Sequence, residues 1–324
     1  MAASSAAPMQ PAARAQSFVR RLQAGEELAH LIVLTAAAAI LVITALVFYE
    51  LFVQSAQSRH KFGWNFLLIS TWDPVAGNFG ALPFIYGTVV TSVMALLVAV
   101  PQGIGAAIFL AEMAPLRISN GLTFLIELLA AVPSVIYGLL GIFILVPVLQ
   151  SYVVPPLKAA FGWLPVFQGA FYGVSYFSAG IVLSVMILPF IISVSREVLL
   201  SVPREQCEAS LALGASQWET TWRVVVPYAS TGIMGSIFLA LARALGETMA
   251  VTMVIGNTPQ IKTSLLAPGY SIAAVIANEF TEATGDLYLS ALIELGLVLF
   301  GVTFLLNGLA RILIVTASRK GARE

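Results

Sequence analysis

Six stretches of the chain, near residues 28–53, 84–111, 120–149, 170–195, 229–256 and 288–316, are apolar over lengths that can cross a bilayer and carry few interior charges. A spanning helix needs roughly 20 mostly apolar residues, and hydrocarbon offers no water to a backbone that leaves its N–H and C=O groups unpaired. The chain is therefore expected to be all-α, a polytopic membrane protein with six transmembrane helices. Of its 324 residues 59% are hydrophobic and only 10% charged, against about 25% charged in soluble domains.

The 16 basic and 16 acidic residues cancel, so no net charge draws the chain to nucleic acid. One cysteine, Cys207, excludes an intrachain disulfide and any multi-cysteine metal or iron–sulfur site. Two histidines, His30 and His60, are too few for a His-rich zinc or haem centre. A phosphate-cradling loop needs glycine before its lysine, yet the lysines here follow His60, Leu157, Ile261 and Arg319. There is no HExxH, GxSxG or paired-cysteine motif either, so the chain is expected to be a non-enzyme with no ATPase site, metal or cofactor of its own.

Orientation follows from the basic residues between spans. With the N-terminus in the cytoplasm, the inside holds ten: Arg14, Arg20, Arg21, Arg117, Arg196, Arg204, Arg223, Arg319, Lys320 and Arg323. The outside holds four, Arg59, Lys61, Lys158 and Lys262. Both termini are thus expected to be cytoplasmic. Residues 1–24, poor in large apolar groups, read as a disordered cytoplasmic tail. Residues 25–319 read as the membrane domain, with outer loops at about 54–83, 150–169 and 257–287, and 320–324 as a short cytoplasmic tail. No short apolar core with a cleavage site precedes the first span, which is read as an anchor. Trp64, Phe66, Trp72 and Trp163 in the outer loops suit the headgroup level. Ser271 to Phe280 reads as a short outer helix, either a docking surface or a plain interfacial helix.

The segment between spans four and five, about 201–227, is too polar to span and too regular to be a linker. Pro203 can open a helix, and Glu205 and Glu208 suit its positive end. Gly214 is a natural left-handed stop. Ser216 and Glu219 then form a capping box that restarts a helix, with Trp218 and Trp222 on one face and Pro227 ending it before span five. The result is a cytoplasmic helix–turn–helix that either packs on its own bundle or docks into a partner's groove.

Its spacing resembles the cytoplasmic signature of ABC importer permeases: Glu-Ala-Ala, three residues, Gly, nine residues, Ile-x-Leu-Pro. The chain reads Glu208-Ala209-Ser210, Gly214 and Val224-Val225-Val226-Pro227 at that spacing, with conservative departures at Ser210, Val224 and Val226. Phe79 to Thr88, Ala130 to Gly141 (with Pro133-Ser134-Val135-Ile136-Tyr137-Gly138) and Arg243 to Ala250 resemble the permease family of phosphate-specific ABC transporters, over roughly residues 18 to 319. The Arg-Ala-Leu-Gly-Glu part is similar to sulfate and molybdate permeases as well.

The resemblance implies the type I ABC importer permease fold, in a heterodimer with a second homologous permease in the bacterial inner membrane. It also implies two cytoplasmic ATPase subunits that bind ATP and Mg, and a periplasmic binding protein that delivers phosphate. Arg243, Glu247, Ser134 and Tyr137 would then line the substrate path, and Glu208, Ala209, Ser210, Gly214, Trp218 and Pro227 would form the ATPase-coupling element. A sulfate or molybdate permease and an ion-coupled carrier or channel are the alternatives, although the chain shows no clear internal repeat of the kind carriers carry.

Glu127, Arg243, Glu247 and Glu294 fall within the apolar stretches, where a charge needs a partner or water. Arg243 and Glu247 stand four apart and can pair on one helix face or line an oxyanion path. Gly232, Ser236, Ala240, Ala244 and Thr248 make a ridge of small side chains that admits a close helix, either a neighbouring span or a partner permease. Pro101, Pro133 and Pro189 are expected to kink spans two, three and four.

Overall fold

The computed structural model describes residues 26–321. The tail read at 1–24 lies outside them, as do residues 322–324 and, with these, four of the basic residues used for orientation. The described residues up to Val53 belong to one compact unit and those from Gln54 onward to another. The first holds nearly all of helix α1 (Glu26–Gln54), in which the Thr35 and Thr44 hydroxyls donate back to the carbonyls of Leu31 and Ile40, each at 2.9 Å. Such back-bonding satisfies a hydroxyl that lipid cannot.

The second unit contains α2 (Ala56–Phe62), α3 (Leu82–Met113), α4 (Leu116–Ala130), α5 (Ser134–Phe161), α6 (Tyr176–Leu200) and α7 (Arg204–Ala212). It continues through α8 (Gln217–Leu245), α9 (Met249–Ile255), α10 (Ile272–Glu279) and α11 (Asp286–Gly321). Among the described residues six helical runs, within α1, α3, α5, α6, α8 and α11, are long and apolar enough to span.

Two of the apolar stretches are not single helices. The stretch read as 120–149 breaks at Ala131–Pro133, leaving α4 and α5. Proline has no N–H to give the carbonyl four residues back. That carbonyl, of Leu129, accepts instead from Val132 N at 3.2 Å and from the Tyr137 hydroxyl at 2.7 Å. The stretch read as 229–256 breaks at Gly246–Thr248, leaving α8 and α9. Pro101 and Pro189, by contrast, sit inside continuous helices.

Pro227 does not end a helix. A π turn at Thr221–Val225, closed by Val226 N on the Thr221 carbonyl, carries α8 past it. The wider turn takes up the ring that would clash with a regular α turn.

Packing centres on α3 against α6, where Gly103 makes room for Ile191 and Gly180 for Met94. The ridge of small residues on α8 faces α6 within the same chain. Gly232 lies against Val198, Ser236 Oγ and Ser195 Oγ are 2.8 Å apart, and Ala240 and Ala244 are buried. Thr248, beyond the end of α8, leaves the ridge.

At the outer end an aromatic cluster joins α3, α10 and α11. Trp72 packs edge-on at 4.8 Å from Phe79 and 4.9 Å from Phe84, while its indole N–H donates to Glu279 Oε2 at 2.8 Å. The Tyr288 hydroxyl donates to the same oxygen at 2.6 Å. With its polar atom paired, Trp72 is interior, as is Phe66, and neither sits at the headgroup level. Trp64 and Trp163 remain exposed at 85% and 75%. The short helix read near Ser271 is α10, capped by the Ser271 hydroxyl on Ala274 N at 3.2 Å. Its face Ile272 to Val275 is buried in the chain's own core. Burial pushes the Tyr270 hydroxyl up to about 12, even though Asn278 donates to it.

Candidate functional site

The two helix breaks lie side by side. The first turns of α5 pack on α9, with Gly138 against Ala250 and Met253 and Gly141 against Val254. A Cβ on Gly138 would fall 3.2 Å from the Ala250 Cα, so the backbones approach as closely as glycine allows.

Around this junction the structure gathers three of the four residues read along the path. Ser134, half-buried, opens α5, and Tyr137, buried one turn on, ties the two sides of the first break through the Leu129 carbonyl. Arg243 lies in the last turn of α8, close enough for its charge to act on the Tyr137 hydroxyl. It is exposed and makes no hydrogen bond with another described residue.

Glu247 does not share a helix with Arg243. Glycine at 246 ends α8, and Glu247 Oε1 instead accepts from Ala250 N at 3.1 Å, capping α9. The four-residue spacing that suggested a pair on one face is cut by the break.

Electrostatically the junction is positive. The N-terminus of α5 follows Pro133, which offers no side-chain cap, and its first N–H groups carry the partial charge of the helix dipole. Arg243 adds a full charge, and Glu247 offsets that of the α9 terminus. Discontinuous helices that present N-termini and a guanidinium to one spot suit an oxyanion held weakly.

A second candidate site is the α7–α8 hairpin. Gly214 adopts φ +92°, a left-handed conformation that side chains rarely take. The Ser216–Glu219 capping box is present in both directions. Ser210 Oγ and Thr220 Oγ1, 3.0 Å apart, lock the two arms, and Gln217 Nε2 donates to the Glu112 carbonyl at 3.1 Å, fixing the hairpin to the end of α3. Cys207 is half-buried beneath it, where burial pushes the thiol up.

The outward face carries Glu208, Ala209, Leu213 at 90% exposure, and Trp218 and Trp222, whose rings meet edge-on at 5.6 Å. Pro227, exposed within α8, is one turn beyond.

Sequence reasoning missed an outer strap. Residues 256–269 are closed at the base by Thr258 N on the Gly269 carbonyl (3.0 Å) and Gly269 N on the Ile255 carbonyl (2.9 Å). The Tyr86 and Tyr176 hydroxyls hold the carbonyls of Lys262 (3.1 Å) and Gln260 (3.2 Å). The turn run Gly256-Asn257-Thr258-Pro259, with positive φ at Gly256 and Asn257, was the available signal.

A family model described as the binding-protein-dependent transport system inner membrane component matches residues 103–316. The phosphate transport system permease protein PstC of Mesorhizobium japonicum is 46% identical over 319 residues, covering 96% of this chain and 98% of that protein. The protein of the same name from Xylella fastidiosa is 48% identical, covering 80% and 81%. A probable phosphate permease of Methanocaldococcus jannaschii is 36% identical, covering 83% and 86%.

Among solved structures, a chain of a bacterial alginate ABC transporter aligns with a TM-score of 0.55 at 17% identity, covering 90% of this chain and 96% of that one. A chain of the MetNI methionine ABC transporter aligns with 0.54 at 14%, covering 76% and 99%. At such identities the likeness is one of fold.

Proposed function

Given that the chain belongs to the family of binding-protein-dependent transport inner membrane components, and within it to the phosphate permeases, we propose that its paired helix breaks form half of the phosphate path and its α7–α8 hairpin the contact with an ATPase. The protein is a multi-pass inner-membrane permease of an ABC importer of inorganic phosphate. The single observation that carries this is near-half identity to phosphate permeases along almost the full length of both chains. Neither a sulfate or molybdate permease nor an ion-coupled carrier is favoured beside it.

In this reading Arg243 offers its donor fork to the phosphate oxygens. Phosphate at neutral pH still carries a proton on part of its population, and the second carboxylate oxygen of Glu247 can accept it, whereas sulfate has no proton to give. Contact here must stay weak for the ion to leave, so selection rests with an external binding protein. A second homologous permease completes the path. Two ATPase subunits, which hold ATP and Mg, bind the exposed aromatic face of the hairpin, and both termini lie on that cytoplasmic side.

Reconstituted alone, the chain is expected to hydrolyse no ATP and move no phosphate, with both activities recovered on adding the partner subunits. Phosphate flux into liposomes holding only this protein would reject the importer reading.

Gly214→Pro is expected to remove uptake from the whole importer while leaving the permease in the membrane, because proline fixes φ near −65° and the turn needs +92°. Charge reversal at Glu208 tests the exposed face without touching the turn. Normal uptake with bound ATPase in both variants would show that the hairpin is not the coupling element.

A further inference from the structure

Where α4 meets α6, hydrogen-bond donors exceed acceptors. Arg196 Nη2 donates to Ser119 Oγ at 3.2 Å, and Ser119 Oγ donates onward to the Leu110 carbonyl at 2.8 Å. Three further polar atoms in the seam, Arg196 Nε, Thr123 Oγ1 and Ser193 Oγ, are shut off from solvent and have no partner. Their placement along the seam follows from direction. α6 ends, at Leu200, where the chain enters the hairpin, and α4 starts just past the α3 terminus to which the hairpin is tied, so the two helices are antiparallel. One turn forward from Ser119 is Thr123, and about one turn back from Arg196 is Ser193, which sets these groups in succession along one contact.

The nearby carboxylates do not answer them. Glu127 and Glu197 are exposed, and neither is a hydrogen-bond partner of Arg196. The surroundings are instead basic and apolar. Arg117 is exposed on the first turn of α4, and beside it Leu116, Ile118, Leu122 and Leu125 are exposed along the same helix. A guanidinium edge and two hydroxyls without acceptors, a second arginine at the rim and an apolar helix face running into the membrane fit a phosphate group that carries acyl chains.

We propose that the α4–α6 seam, through Arg196, Thr123, Ser193 and the rim residue Arg117, binds the phosphate of an anionic phospholipid, whose acyl chains lie along the exposed face of α4. Inorganic phosphate shares the headgroup chemistry but has no use for that apolar face. The seam is at the end of the span, where headgroups lie, and it is separate from the helix breaks assigned to the transport path.

The test uses the assembled importer in nanodiscs of phosphatidylcholine with and without phosphatidylglycerol, followed by native mass spectrometry of the lipids retained. The wild type is expected to keep phosphatidylglycerol in preference to phosphatidylcholine. Arg196→Gln is expected to weaken that preference about fivefold, the effect of one basic residue near a charged membrane surface. Thr123→Val with Ser193→Ala leaves the charge in place and removes the two hydroxyls; it is also expected to lower retention, and it decides the matter if Arg196→Gln does not assemble.

Unchanged retention in the variants that assemble would overturn the proposal. Displacement of phosphatidylglycerol by added inorganic phosphate would also overturn it, assigning the seam to the free ion. So would a carboxylate of a neighbouring protein found on Arg196 in the assembled complex.

Discussion

Replacing Arg243 with glutamine should remove most phosphate uptake from cells carrying the whole importer, while the complex is recovered in normal amount. The guanidinium is exposed and has no hydrogen-bond partner among the described residues, so its loss leaves no buried group stranded. A charged hydrogen bond to a ligand is worth about 1.5–3 kcal/mol, which corresponds to a fall of roughly 10- to 100-fold if phosphate contacts this side chain. Glu247→Gln should be milder for the fold, because an amide oxygen can still accept from Ala250 N, and Glu247→Ala should cost about 1 kcal/mol as a lost cap. Since the helix ends between the two residues, the Arg243→Gln, Glu247→Gln double variant should not regain uptake. Recovery in the double variant, or loss of assembled complex in Arg243→Gln, would mean that the two residues pair structurally and do not line the path.

The reasons that some of this is readable in the sequence are local. The Ser216–Glu219 box and the left-handed Gly214 depend on contacts within a few residues, and both are present in the structure. Span number depends on hydropathy summed over long windows, which tolerates error in any one residue. The same averaging hides the breaks. An apolar run containing Pro133 or Gly246 looks alike whether the helix kinks or stops. What decides is whether the freed carbonyl finds another donor, here the Tyr137 hydroxyl eight residues away.

Pro227 misleads for the converse reason, because a π turn keeps the helix going. Trp72 resembles an interfacial tryptophan until Glu279, more than two hundred positions on, proves to accept its N–H. The Arg243–Glu247 pair fails with the single helix it requires. The unpartnered donors around Arg196 have no sequence signal, since nothing in a single sequence tells which hydroxyls a neighbouring helix will leave without acceptors.

Gly87→Ala should destabilise the protein more than alanine at either of the other glycines of α3, Gly103 and Gly105, and the geometry of the outer strap explains why. A Cβ at Gly87 would stand 2.0 Å from the carbonyl oxygen of Tyr270 and 2.9 Å from its carbon. These are backbone atoms, so no rotamer change can move them aside. The backbone there is also held on both flanks: Ile272 N donates to Thr88 Oγ1 at 3.0 Å, and the Tyr270 ring packs edge-on to Phe84 at 5.4 Å. Separating α3 from residue 270 would therefore break the Thr88 bond and open the aromatic cluster around Trp72. Overpacking a core costs about 1–3 kcal/mol where side chains can yield, and backbone on both sides places this case at or beyond the upper end. Gly105→Ala, on the same helix with nothing within 4 Å of its Cβ, is the control. It adds the same methyl group without a clash and should be neutral or stabilising by roughly 0.5–1 kcal/mol, as expected for glycine to alanine within a helix. Thermal unfolding of the two purified variants separates the effects. Equal midpoints would mean that α3 and the strap do not meet at Gly87, and with that contact would go the anchoring of the strap that leads from α9 at the second helix break to the outer surface.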